Sequence, residues 1–138
     1  MKYVAALLVT LVPFGAGSKA FAESNCDLAK GATMIGDADS PWTMQIELVP
    51  TKVPLNAPFD VDVTVCSQSD DFPTRITVDA TMPAHKHGMN YVPKTARTGD
   101  ASYRTTNLLF HMPGMWRVEV TAYGNDKPYR FTHDVDLR

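Results

Sequence analysis

Apolar and polar residues alternate along most of this chain with a period of two. In Phe59-Asp60-Val61-Asp62-Val63-Thr64-Val65-Cys66 the apolar side chains fall at 59, 61, 63 and 65. That is the pattern of a strand with one face inward and one face in water. Met44, Ile46 and Leu48 alternate with Gln45 and Glu47; Ile76, Val78, Ala80 and Met82 alternate with Arg75, Thr77, Asp79 and Thr81. Trp116, Val118, Val120 and Ala122 alternate with Arg117, Glu119 and Thr121, and a last run places Tyr129, Phe131, His133, Val135 and Leu137 on one face. Between Tyr103 and Phe110 the alternation weakens, and Leu108-Leu109-Phe110 leaves the inward side undecided.

Turn residues separate these runs at Pro54 to Pro58, Ser67 to Pro73, Arg97 to Asp100, Pro113-Gly114 and Gly124 to Pro128. No segment carries a helical stripe, an internal repeat or low complexity. About seven short strands with turns every eight to twelve residues predict an all-β fold, an antiparallel β-sandwich of immunoglobulin-like or cupredoxin-like type.

The first residues carry a different signal. Lys2 precedes an apolar run from Tyr3 to Val12, Pro13-Phe14-Gly15 breaks it, and Ala20-Phe21-Ala22 offers a small-x-small cleavage pattern before Glu23. The expectation is a signal peptide over 1–22, an irregular arm over 23–40, and one sandwich domain over 41–138. An apolar run of about ten residues is too short to span a bilayer of roughly 30 Å. No retained membrane anchor is therefore expected, and the expected location is the periplasm.

Removal of Lys2 and Lys19 with the signal leaves 11 basic against 15 acidic residues. This balance offers no basic stripe to nucleic acid or to an anionic membrane. Cys26 and Cys66 are the only cysteines, and in an oxidising compartment such a pair is expected to close as a disulfide. A pair of thiolate metal ligands is the alternative, but neither residue sits in the spacing of a zinc or redox motif. The register of the 59–66 strand puts Cys66 on the outward face, so the arm is expected to cross the outside of a sheet.

Two clusters concentrate the candidate chemistry. Met82-Pro83-Ala84-His85-Lys86-His87-Gly88-Met89-Asn90 holds two of the four histidines, and His111-Met112-Pro113-Gly114-Met115 follows at the start of a later strand. Pro83 ends the first strand and Gly88 loosens the chain beyond it, so both clusters are expected at strand ends. In an extended segment His85, His87 and Met89 point to one side. Imidazole together with thioether suits copper in either oxidation state better than it suits zinc. The candidate metal ligands are His85, His87, Met89 and His111, with Met112 and Met115 as supplementary thioethers. Met82 continues an apolar face, which favours core packing and leaves ligation as the alternative, and His133 is expected to be a hydrogen-bonded core histidine.

These same residues carry a resemblance. Met82-Pro83-Ala84-His85-Lys86-His87-Gly88-Met89-Asn90-Tyr91, then Gly99-Asp100, then Leu108 to Trp116 with its Met-Pro-Gly turn, resemble the YtkA-like domain family of small exported bacterial proteins, itself similar to FixH-type domains. The resemblance spans roughly residues 42 to 138. It implies an immunoglobulin-like sandwich and a setting of copper handling or respiratory oxidases.

No serine or cysteine sits beside a histidine in a nucleophile motif, and no glycine-rich phosphate loop occurs. A mononuclear copper electron-transfer site normally uses a free cysteine, which the expected disulfide would consume. Asp70-Asp71 is a solvated turn on this reading. The expectation is therefore a non-enzymatic module that sequesters or delivers copper, its partner an envelope cuproprotein, a metal transporter or a respiratory complex. The alternative is an accessory domain that docks an envelope or respiratory protein without metal, and a small copper oxidase stands third.

Overall fold

Each alternating run becomes a strand whose apolar set faces a common interior. The computed structural model describes residues 31–69, 71–124 and 127–138. In chain order the strands are β1 (Ala32–Thr33), β2 (Ile35–Gly36), β3 (Trp42–Val49), β4 (Phe59–Ser67), β5 (Arg75–Met82), β6 (His87–Gly88), β7 (Lys94–Arg97), β8 (Ser102–Leu108), β9 (Gly114–Tyr123) and β10 (Pro128–Leu137). Among the described residues there is no helix. Seven strands are longer than two residues, and one of them, β7, forms where the sequence shows no alternation.

The strands form two antiparallel sheets, one ordered β1-β3-β4-β8-β7 and the other β2-β10-β9-β5-β6. Met44, Ile46, Val61, Val63 and Val65 of the first sheet and Ile76, Val78, Val118, Val120 and Phe131 of the second are all buried between them. Burying each such side chain stabilises the fold by about 1.5–3 kcal/mol. A one-residue slip of any strand would turn its whole apolar set into water, which is why the register is firm. Ten consecutive pairs between β9 and β10, from Pro128↔Tyr123 to Leu137↔Gly114, run without a shift.

The weak alternation near Leu108 has a local cause. Asn107 takes φ 68°, and the β4–β8 register shifts between Phe59↔Leu108 and Val61↔Thr105. One extra residue in β8 makes a bulge. Tyr103, Thr105 and then Leu108 and Phe110 all turn inward as a result, each at 4% exposure or less. An inserted residue reverses the parity of the positions after it, so no single period fits this stretch.

Residues 31–36 also depart from an irregular arm. Ala32 and Thr33 pair with Ile46 and Gln45 of β3, and two residues later Ile35 and Gly36 pair with Thr132 and Phe131 of β10. Met34 lies between them, buried, and its N–H donates to the Met44 carbonyl at 2.9 Å. This segment thus stitches one edge of the two sheets together, in strands too short to leave a period in the sequence. Cys66 is on the alternate, outward side of β4 yet only 6% exposed. Its expected partner Cys26 and the expected signal peptide over 1–22 lie outside the described residues.

Candidate metal centre

The first cluster is built on a hairpin between β5 and β6. The N–H groups of His85 and Lys86 both donate to the Met82 carbonyl, at 3.1 and 3.0 Å, and Lys86 takes φ 55°. Residues 83–86 are therefore a tight turn and not an extended segment, so the spacing of two does not govern His85. His85 sits exposed on the turn, while His87 re-enters the sheet as the cross-strand partner of Met82. The two imidazoles remain close all the same, with ring centroids 5.9 Å apart.

His87 Nδ1 lies 3.1 Å from the Gly88 carbonyl. An Nδ1–H donor there leaves the Nε2 lone pair for a ligand, the arrangement in which a metal-binding histidine is usually held. Met89, two residues on, donates its N–H to the Ala80 carbonyl at 3.2 Å. Its side chain lines a surface groove of about 550 Å³ along the edge of β5, with Ile76, Val78, Tyr91 and Val92.

The second cluster is set by an aromatic stack. Phe110 and Trp116, both buried, lie face to face with centroids 4.5 Å apart and planes within 8°. The Trp116 indole N–H donates to the Met112 carbonyl at 2.9 Å, which closes the turn through Pro113 and Gly114. Gly114 holds φ 123°, where residues with a Cβ are strained. With both ends of the turn pinned, the His111 ring stands edge-on to Trp116 at 5.4 Å and 74°.

Pairing of β5 with β9 then brings the clusters together. Thr81 is the cross-strand partner of Arg117, so the end of β5 lies beside the start of β9. The His87 and His111 rings are 5.2 Å apart, tilted by 31°. An ion about 2.0 Å from an imidazole nitrogen lies about 3.2 Å from the ring centroid, so two imidazoles on one ion have centroids roughly 4.5–6.4 Å apart. Both histidine pairs fall inside that window.

His111 carries one further feature. Its Nδ1 is buried and has no hydrogen-bond partner, the one such side-chain nitrogen or oxygen among the described residues. A buried polar atom left unpaired costs about 1–3 kcal/mol, so it calls for an explanation such as a ligand. No group of three His, Cys, Asp or Glu side chains is arranged to hold an ion among the described residues.

The methionines divide. Met89 and Met112 are partly buried against the core. Met115 is 45% exposed and pairs with Asp136 on β10. It faces the outside of the sheet, opposite to its neighbour Trp116. His133, on β10 opposite Val118, is half-buried and not enclosed in the core. Lys86 is the only charged side chain between Met82 and Asn90. Away from the site, Arg117 forks onto Asp134 with contacts of 2.7 and 2.8 Å and holds that carboxyl below the usual range.

The sequence pattern does not single out Trp116 as a residue of this site, because it continues an apolar face. The signal available is position: it is the strand residue that follows the second histidine cluster. In comparisons with known proteins, no family model, curated sequence or solved structure matches the chain.

Proposed function

We propose that the chain is an exported copper-binding module, which holds the ion between His87 and His111 for sequestration or for transfer to another protein. The observation that carries this reading is the buried, unpartnered Nδ1 of His111 in a ring 5.2 Å from that of His87. A nitrogen with no protein partner, beside a second imidazole, has the chemistry of a metal ligand more than that of a core histidine. His85, exposed on the turn and 5.9 Å from His87, is placed to take the ion from solution or to pass it on. Copper fits this donor set because imidazole serves both of its oxidation states and the neighbouring thioethers favour the reduced one. The same reading accords with the copper-handling setting implied by the YtkA-like resemblance.

Trp116 supplies the assay. Its ring lies 5.7 Å from His87 and 5.4 Å from His111. The other tryptophan, Trp42, packs on Tyr129 and Gly124 at the far end of β9. Titration of a Trp42→Phe background with Cu(II) is expected to quench Trp116 fluorescence to a one-to-one end point. His87→Ala and His111→Ala are each expected to weaken binding by at least about 10-fold, the scale of a lost ligand contact. Equal affinity in the wild type and in the double variant would refute the reading.

A second reading rests on a different feature. Tyr91 and Val92 are 53% and 87% exposed beside the groove at the β5 edge, which favours an accessory domain that docks an extended segment of an envelope protein. Defined capture of one envelope protein, undiminished in the His87→Ala, His111→Ala variant, would favour it over metal binding.

A further inference from the structure

The two imidazoles leave open which atom completes the site, and the placement of Met82 answers it. Met82 closes β5 and is the direct cross-strand partner of His87. Side chains of such a pair share a face, with Cβ atoms about 4.5–5.5 Å apart. Its other end is equally well defined. The Met82 methyl carbon lies 2.8 Å from where a Cβ would stand on Gly114, inside the turn that follows His111. The side chain therefore runs from beneath His87 to beneath the His111 turn, at 1% exposure. Glycine at 114 leaves the room that the methyl group occupies.

Resting on the copper reading above, we infer that Met82 is the third ligand, and that His87, His111 and Met82 form a neutral two-nitrogen, one-sulfur site selective for Cu(I). Three features favour the monovalent ion. Thioether is a soft donor that prefers Cu(I). All three ligands are uncharged when they bind metal, and the segment from Met82 to Asn90 holds no carboxylate. The cost of burying an ion grows with the square of its charge, so a neutral site against the Trp116 ring penalises a divalent ion about four times as heavily as a monovalent one. Lys86, the sole charge of the adjoining turn, adds to the bias against a dication. Met115 faces the outside of the sheet, away from both rings.

The test uses Met82→Leu, a swap that keeps the core volume and is among those cores tolerate best. Cu(I) affinity is measured anaerobically on the whole protein by competition with a colorimetric Cu(I) chelator, and Cu(II) affinity by Trp116 quenching. The expected result is a loss of at least about 30-fold for Cu(I) and of less than about 3-fold for Cu(II). The copper X-ray absorption of the Cu(I)-loaded wild type should show one sulfur at about 2.3 Å, absent in Met82→Leu. Unchanged Cu(I) affinity in Met82→Leu, or an absorption spectrum without sulfur, would overturn Met82 as ligand and leave the two-histidine site standing. A wild type that binds neither ion would overturn both readings.

Discussion

Replacing His111 with Phe should make the copper-free protein more stable and the copper-loaded protein less so. The orphaned Nδ1 of His111 costs the fold about 1–3 kcal/mol. Phenylalanine removes that nitrogen and keeps a ring against Trp116, where His111 now stands edge-on at 5.4 Å. An aromatic pair of this kind is worth about 0.5–1.5 kcal/mol, so most of the packing survives. The net gain is about 1 kcal/mol, or a rise in Tm of about 4 °C for a domain of roughly 110 residues. Copper reverses the order. A ligand present at about 100 times its Kd stabilises the native state by about 2.7 kcal/mol, and the variant forfeits much of this. Thermal unfolding followed by circular dichroism, with chelator and then with copper, should therefore show the two melting curves exchange order. Destabilisation of the chelated His111→Phe protein by more than about 1 kcal/mol would be the opposite outcome. His111 would then be a structural histidine whose nitrogen is satisfied in solution.

Two further substitutions probe the limits of the site and of the surface. Met115→Ala is expected to change stability by no more than about 0.5 kcal/mol, as for an ordinary surface position, and to leave copper affinity within about 2-fold; a 10-fold loss would bring Met115 into the site. Asp134→Asn removes a carboxylate whose pKa is lowered chiefly by its hydrogen bonds from Arg117. A depressed pKa means that the stabilisation is present at neutral pH and is lost as pH falls through the folded-state value. The pair is about half exposed, so Asn should cost only about 0.2–1 kcal/mol at pH 7. The two proteins should converge in stability in strong acid, and a difference in urea midpoint that grows toward low pH would contradict the assignment.

Placement at strand ends was legible for both clusters, because Pro83 and Pro113-Gly114 interrupt alternating runs. The partition of their side chains was not. His85 escaped the spacing-of-two rule once Lys86 adopted a left-handed conformation and folded 83–86 into a turn. Met82 looked like core from its periodicity, and it is core by burial. Whether a buried methionine is also a ligand depends on which residue stands across the strand from it, here His87.

The sequence by itself determined the sandwich. A strand's side chains must alternate between two faces, so apolar residues at every second position select a buried face without reference to the rest of the molecule. It determined as well that imidazole and thioether would gather at strand ends. Tertiary structure alone decided that His87 and His111 lie side by side, because their distance depends on the β5–β9 pairing and not on local spacing. It also decided that the His111 Nδ1 is buried without a partner and that Met115 faces outward. Those outcomes follow from sheet order and from the stack of Phe110 on Trp116, which are long-range properties that no local period encodes.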